Sequence, residues 1–201
     1  MRRIVVACVW SAAVLFLGGC SFLFSGAEPE NGTDLTEADM MIEDFAYTNQ
    51  NNETVTNEDL EGSYWITNMI FTNCPTVCNL MTPNMLSLQG ELEEAEAVIP
   101  LVSFTVDPSN DDPETLKAYG EEYGADLTSW HFLTGYSNEE MQALAEESFL
   151  STVQKDEENE DIIHPTSFYL VNPEGQIIRS YDGLDNDTDL ISDDVEALVN
   201  D

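Results

Sequence analysis

Basic side chains are scarce in this sequence. Its 201 residues include five Lys and Arg against 40 Asp and Glu, which gives a formal net charge of −35 at pH 7. A surface of this sign repels phosphate backbones and anionic lipid head groups, so nucleic acid is excluded as a partner. The acidic residues are spread along the whole chain. This spread favours a solvated surface adapted to salt or alkaline surroundings over a local cation-collecting patch.

Long apolar runs are lacking except at the N-terminus. There, a pair of arginines precedes the apolar stretch Ile4–Leu17, and small residues lead to Cys20. A basic start, a short apolar core and small residues before a cleavage point are typical of a secretory signal. Cys20 at that point resembles a bacterial lipobox, which predicts a signal peptide over residues 1–19 and a lipid on Cys20. The alternative is an uncleaved anchor helix from Ile4 to about Phe24. Both predict a domain on the extracytoplasmic face, tethered to the cell membrane.

Two regions follow the signal. Residues 20–39 are polar and acidic, contain Gly and Pro, and show no apolar periodicity, which predicts a flexible acidic tether. Residues 40–201 are long enough for one domain with a full hydrophobic core.

Strand-like and helix-like segments alternate in that domain. The predicted strands are Phe45–Tyr47, Thr54–Thr56, Tyr64–Thr72, Val98–Val106, Trp130–Leu133, Ser167–Val171 and Gln176–Tyr181. The predicted helices are Glu58–Leu60, Thr76 to about Ala97, Asp112 to about Tyr123, Asn138–Phe149 and Leu190–Asn200, and Gln154–Asp161 is predicted as a charged loop. The order predicts an α/β fold, with a central mixed sheet flanked by helices and a β-hairpin at the N-terminus.

Cysteine is nearly absent from this domain, and the two that occur are close together. Cys74 and Cys78 lie between a predicted buried strand and a predicted helix. A helix N-terminus stabilises anions, so thiolates form there more readily than in bulk water. Such a pair can form a redox couple, bind a soft metal or make a plain structural disulfide. A disulfide closing so small a loop contributes little stability, which makes the purely structural role the least favoured.

Histidine is equally rare, and the two histidines are interpreted differently. His164 stands in a loop before the strand Ser167–Val171, whose start is expected beside the end of the strand that precedes Cys74. His131 alternates with apolar residues inside a predicted strand and is interpreted as a non-ligand. Pro165 follows His164 and Ile163 cannot hydrogen-bond to it, so we expect its second ring nitrogen to face a backbone carbonyl or water.

Several motifs together resemble the Sco/SenC family of copper-delivery proteins. The similarity runs from about Phe45 to the end of the chain, in the family's order and spacing. The segments that carry it are Asn68-Met69-Ile70-Phe71-Thr72-Asn73-Cys74-Pro75, Ser103-Phe104-Thr105-Val106-Asp107-Pro108, Asp112-Pro113-Glu114, Trp130-His131-Phe132-Leu133-Thr134-Gly135, Ser167-Phe168-Tyr169-Leu170 after His164, and Pro173-Glu174-Gly175.

The resemblance implies a thioredoxin-like fold and one copper ion, Cu(I) or Cu(II), bound by Cys74, Cys78 and His164. It also implies a role in assembling the copper A centre of cytochrome c oxidase, with subunit II of that enzyme as partner. Because copper does not bind the disulfide form, an external thioredoxin-like reductant is implied as well. Asp107 matches a family Asp that lies near the metal ligands.

Two positions depart from the family pattern. Asn79 stands where many members have Pro, and Ile163 stands where many have Asp before the His. Two other functions remain open: a thiol–disulfide reductase that keeps the oxidase cysteines reduced, and a redox or copper sensor. We expect a metallochaperone rather than an enzyme, and His164 to be dispensable only in a reductase.

Overall fold

The strands and helices of the domain are given by a computed structural model, which describes residues 32–156, 158 and 161–200. The strands are β1 (Gly32–Asp34), β2 (Ala46–Asn49), β3 (Thr54–Thr56), β4 (Trp65–Ile70), β5 (Leu101–Thr105), β6 (Trp130–Thr134), β7 (Gln154–Asp156), β8 (Asp161–Ile163), β9 (Ser167–Val171) and β10 (Ile177–Asp182). The helices are α1 (Asn57–Leu60), α2 (Cys78–Glu94), α3 (Pro113–Tyr123), α4 (Asn138–Phe149) and α5 (Asp189–Val199).

Eight of these strands form one sheet in the order β1-β10-β9-β4-β5-β6-β2-β3. The central strands β4, β5 and β6 are parallel, and helices α2 and α3 connect them. Strand β9 pairs with β4 in the antiparallel direction, and β2 and β3 form the N-terminal hairpin. The predicted fold class, a mixed sheet flanked by helices, is confirmed.

Local sequence signals explain why most helices begin where predicted. The Asp112 side chain accepts a hydrogen bond from the Thr115 N–H and caps α3, whose first residue is Pro113. Ser137 and Glu140 form a reciprocal capping box at α4. Such caps satisfy N–H groups that have no partner within the helix. Strand β4 is buried at all six positions, including the polar Thr67 and Asn68, as expected for a central strand covered on both faces.

The predicted charged loop over Gln154–Asp161 is wrong at both ends. Residues Gln154–Asp156 and Asp161–Ile163 pair as β7 and β8 in a separate two-stranded sheet. These strands are short and mostly polar or exposed, so they lack the alternation that marks a half-buried strand. The connection between them includes residues outside the described part.

The last part of the predicted flexible tether forms secondary structure instead. Residues Gly32–Asp34 pair with β10 at the sheet edge, and a 3-10 turn follows at Thr36–Ala38. Strand β1 is polar and largely exposed, and backbone pairing rather than apolar burial holds it, so composition gave no sign of it. The remainder of the tether, the predicted signal peptide and Cys20 lie outside the described residues. Within the described residues, no helix combines the length and apolarity required to cross a bilayer.

Candidate metal centre

The sheet topology brings the two cysteines and His164 together. Cys74 lies in the loop after β4, Cys78 is the first residue of α2, and His164 connects β8 to β9. Because β9 runs antiparallel beside β4, its start lies at the end of β4. One possible ligand atom from each of the three residues lies within 4.8 Å of the others. The sequence-based expectation that β9 begins beside the cysteine loop is confirmed.

Both cysteines are reduced, and the Cys74 sulfur accepts a hydrogen bond from the backbone. The N–H of Cys78 donates to the Cys74 Sγ at 3.3 Å, and both thiols are free. This contact satisfies the N–H of the first helical residue, and the helix begins at Cys78, after the N-cap residue Val77, rather than at the predicted Thr76. Helix α2 then continues through Pro83. The first N–H of the helix therefore donates to the Cys74 sulfur, close to the positive end of the helix dipole.

The two thiols differ in acidity. The Cys78 thiol donates a hydrogen bond to Cys74, and together with His164 and the Cys78 N–H it lowers the pKa of Cys74 well below that of a free thiol. The same contact and burial raise the pKa of Cys78. Cys74 is therefore the more acidic member of the reduced pair. Binding a metal to both sulfurs then requires Cys78 to release its proton.

His164 is held with one ring nitrogen toward the sulfurs. Its Nε2 lies 4.0 Å from the Cys78 Sγ, and its Nδ1 lies 2.9 Å from the Pro165 carbonyl oxygen. A carbonyl only accepts, so Nδ1 donates to it, and Nε2 is the ring nitrogen that faces the sulfurs. The Phe71 ring meets the imidazole edge-on. The expected backbone carbonyl partner is confirmed, and it orients the ring in the absence of an Asp at position 163.

The Thr76 hydroxyl connects the cysteine loop to the hairpin that precedes His164. Thr76 lies between the cysteines and donates to the Asp161 carboxylate at 3.0 Å, and its Oγ1 is 3.8 Å from the Cys74 Sγ. Asp161 is three residues before His164, so this bond connects the cysteine loop to the hairpin that carries the histidine. Nothing in the sequence marked Asp161, because it belonged to a stretch interpreted as loop.

Asp107 and Asp111 have different roles in the structure. The Asp107 carboxylate accepts two hydrogen bonds from the Asn110 side chain and lines a hollow together with Phe71. Asp111 is completely buried and accepts hydrogen bonds from the Thr72 N–H, the Thr72 hydroxyl and the Thr105 hydroxyl. Burial raises the pKa of Asp111 against the effect of these bonds. Asp111 thus fixes the backbone just before the cysteine loop, and sequence reasoning passed over it among neighbouring acidic residues.

We expect Asp111→Ala to lower the free energy of unfolding by about 2–4 kcal/mol, because it leaves buried donors of Thr72 without a partner. Urea unfolding of the reduced protein measures this change. Asp112→Ala at the cap of α3 is the matched control, with an expected loss of about 1 kcal/mol. Equal losses in the two variants would contradict the anchoring role of Asp111.

His131 does not join the three residues. It lies in β6 opposite Val102 of β5, is half-buried, and burial lowers its pKa. Among the described residues, Cys74, Cys78 and His164 are the one group with metal-ligand geometry. Two sulfurs and one imidazole suit soft or borderline metals such as Cu(I), Cu(II) or Zn²⁺ and do not suit Mg²⁺ or Ca²⁺. The fold and the site define a thioredoxin-like protein with a buried Cys-Cys-His centre.

Comparison with known proteins agrees with this class. A family model described as SCO1/SenC matches residues 33–200. The "SCO1 protein homolog" of Bacillus subtilis is 41% identical over 154 residues, which cover 76% of this chain and 80% of that protein. This chain therefore belongs to the SCO1/SenC family. The matched part spans about half, 53%, of the yeast mitochondrial "Protein SCO2", at 28% identity.

Three solved structures share the architecture. A SCO1/SenC family lipoprotein of Bacillus anthracis is 39% identical with a TM-score of 0.76, covering 80% of this chain and 95% of that one. BsSco, described as having a disulfide switch and as a cytochrome c oxidase assembly protein, is 37% identical with a TM-score of 0.74, covering 86% and 96%. Copper-bound ScoI of Arabidopsis thaliana is 25% identical with a TM-score of 0.68, covering 80% and 98%.

Proposed function

We propose that this protein is a membrane-tethered extracytoplasmic copper carrier that supports assembly of the copper A centre of cytochrome c oxidase. The observation that carries the proposal is the convergence of the Cys74 and Cys78 sulfurs with the His164 Nε2 at one buried point. Copper-bound ScoI of A. thaliana and the assembly role given for BsSco support it. Subunit II of the oxidase is the proposed recipient.

The donor set suits both oxidation states of copper. Cu(I) accepts two thiolates, and the imidazole of His164 adds the nitrogen that Cu(II) prefers. Cys74 is the more acidic thiol, and a metal bound to both sulfurs displaces the proton of Cys78. The Pro165 carbonyl accepts from Nδ1, which leaves Nε2 as the ring nitrogen available to the metal.

A disulfide between Cys74 and Cys78 must be reduced before copper binds. A thioredoxin-like dithiol supplies two electrons and two protons, becomes a disulfide itself, and leaves both cysteines as thiols. Copper then leaves by ligand exchange, in which thiolates of the recipient replace Cys74 and Cys78 one at a time. Each recipient thiol gives up a proton as it binds.

The second candidate function is a thiol–disulfide reductase. The observation that favours it is the unequal acidity of the pair, with a lowered pKa at Cys74 and a raised pKa at Cys78. One attacking thiolate and one resolving thiol are the usual requirement of such an enzyme. A redox or copper sensor would use the same two states. His164 separates the candidates, because a reductase does not need a metal ligand.

Copper titration of the soluble domain tests the proposal. We expect the reduced protein to bind one equivalent of copper and the oxidised protein to bind none, because a disulfide offers no thiolate. A Cu(II)–thiolate charge-transfer absorption reports the reduced complex. Equal copper binding by the oxidised and reduced proteins would refute the proposed site.

The tether is proposed to end in a lipid on Cys20. We expect the intact protein to fractionate with membranes and Cys20→Ala to lose the acyl adduct, because only the thiol accepts the lipid. Mass spectrometry of the N-terminal peptide measures this. The B. anthracis relative is described as a lipoprotein, which supports the expectation. A wild-type peptide starting at Cys20 without an acyl group would contradict it.

A further inference from the structure

His164 lies between a segment that the main sheet fixes and one that it does not. On its C-terminal side, the Thr166 carbonyl accepts from the Gly183 N–H at 2.8 Å, and β9 begins at Ser167. On its N-terminal side, β8 pairs with β7 in a separate two-stranded sheet. A two-stranded hairpin is marginally stable by itself in water. Side-chain contacts with the rest of the domain therefore decide where β8 lies.

The Asp161 carboxylate makes a directional contact of this kind. Its Oδ2 accepts from the Thr76 hydroxyl at 3.0 Å, and its Oδ1 accepts from the Ile162 N–H at 2.8 Å. One oxygen is thus engaged by the cysteine loop and the other by the backbone of β8. Ile162 also packs against the core, but apolar contact is non-directional and does not fix the position of β8 along the surface.

Thr76 carries the connection into the cysteine loop. It lies midway between Cys74 and Cys78, and its Oγ1 is 3.8 Å from the Cys74 Sγ. The Cys78 N–H donates to the same sulfur at 3.3 Å and closes the loop around it. A shift of β8 relative to Thr76 therefore changes the distance between the His164 imidazole and the two sulfurs.

We infer that Asp161 is a positioning residue of the metal centre, which acts through the Thr76 hydroxyl to hold the His164 imidazole at coordinating distance from the cysteines. Asp161 is not a member of the group with metal-ligand geometry, so it acts by position and not as a ligand. Extended chain separates it from His164 by about 10 Å. The inference deepens the proposed function and rests on it for the copper ion that the three ligands share.

Cu(II) is the oxidation state that depends on this position. Cu(I) is satisfied by two thiolates, and both belong to the cysteine loop, whereas Cu(II) prefers the nitrogen that the hairpin brings. Losing the bond between Thr76 and Asp161 is therefore expected to affect Cu(II) and to spare Cu(I). The hydrogen bond with Cys74 and burial raise the pKa of Cys78, and the charge of Asp161 adds to them, so the test separates the bond from the charge.

Thr76→Val removes the hydroxyl at nearly constant shape and leaves the charge of Asp161 in place. We expect the lifetime of the Cu(II) complex to shorten about threefold, near the low end for one hydrogen bond because Thr76 is exposed, and the affinity for Cu(I) to stay unchanged. Thr76→Ser keeps the hydroxyl and is expected to keep the lifetime. Asp161→Asn is expected to keep most of it, because the amide donates to the Thr76 hydroxyl while its oxygen accepts from the Ile162 N–H.

Thr128→Val is the matched control. It removes another exposed threonine hydroxyl, which donates to the Asp126 carboxylate at 2.8 Å in the loop before β6. Its Cu(II) lifetime is expected to match wild type. Urea unfolding is expected to change equally in Thr76→Val and Thr128→Val, so a difference in Cu(II) lifetime between them is not an effect of stability.

Two further measurements separate positioning of His164 from general support. Adding Thr76→Val to His164→Ala is expected to shorten the Cu(II) lifetime no further, because both changes act on the same ligand. In the reduced protein without copper, hydrogen exchange at the Ile162 amide is expected to be about threefold faster in Thr76→Val than in wild type or Thr128→Val. This second measurement needs no metal, so it separates failure of the contact from failure of the proposed copper site, which the copper titration judges.

An unchanged Cu(II) lifetime or unchanged amide exchange in Thr76→Val would overturn the inference. So would a Thr76→Ser lifetime as short as that of Thr76→Val, an equal loss of Cu(I) affinity, or further shortening in the His164→Ala background. A loss in Asp161→Asn with none in Thr76→Val would assign the effect to charge and would also reject the positioning role.

Discussion

Copper affinity is expected to fall by more than about a hundredfold when Cys74 and Cys78 are both replaced by serine. Losing a group that only orients a metal ligand already costs about 10- to 100-fold, and this variant removes both soft donors. Serine hydroxyls at the same positions are hard and protonated near neutral pH, so they do not replace thiolates for Cu(I). Competition with a chromophoric Cu(I) chelator measures the affinity of the reduced protein.

Methionine sulfur supplies the control for this result. Met81 and Met85 follow the cysteines on α2 and are completely buried in the core, as their helical spacing predicts. Met81→Leu/Met85→Leu keeps the volume and is expected to keep copper affinity. A Cys74→Ser/Cys78→Ser protein that still bound one copper tightly would place the site elsewhere and reject the proposed function.

The lifetime of the Cu(II) complex is expected to be at least about tenfold shorter in His164→Ala than in wild type, whereas the affinity for Cu(I) changes much less. Two thiolates satisfy Cu(I), but Cu(II) prefers nitrogen donors and is prone to reduction by thiolates alone. The Cys74–Cys78 disulfide is expected to form in the variant as in wild type. Electron paramagnetic resonance of the Cu(II) complex follows its decay and its nitrogen coupling.

The second histidine makes the comparison specific. His131→Gln lies in β6, outside the group of three ligands, and its Cu(II) spectrum is expected to match wild type. If His164→Ala kept the wild-type spectrum and lifetime, His164 would not be a ligand. The unequal acidity of Cys74 and Cys78 would then favour the reductase.

The candidate site was predictable because its residues are rare in the sequence. With two cysteines and two histidines in the domain, the loop context of His164 and the strand context of His131 separated the candidates. The central sheet was predictable because β4 and β5 are buried along their whole length and lie in stretches rich in apolar, aromatic and β-branched residues. Rarity and continuous burial are both visible without coordinates.

What the sequence could not predict depends on contacts between distant polar residues. Asp111 resembles any other acidic residue until the fold brings Thr72 and Thr105 against it. The bond between Thr76 and Asp161 spans 85 positions, and the hairpin that carries Asp161 has no apolar alternation. Composition and periodicity report burial, but they carry no information on which polar groups meet.

The edge strand β1 sets the point at which the preceding chain enters the sheet. Gly32 pairs with Tyr181 near the end of β10, and Tyr181 in turn pairs with Phe168 near the start of β9. The chain therefore enters the sheet at the end that carries His164 and the cysteine loop, three strands from β4. Neighbouring strands are about 4.8 Å apart, so the entry point lies on the order of 15 Å from that strand.

With the lipid on Cys20, as proposed, this attachment limits where the metal centre can travel. The part of the tether from residue 20 to Gly32 spans at most on the order of 40 Å when fully extended. The centre is then confined to a layer above the bilayer, whose depth is set by this reach and by the distance from the entry point to the centre. Within that layer, encounter with a membrane-bound recipient is a search in two dimensions, at an effective concentration that dilution of the surrounding medium does not lower.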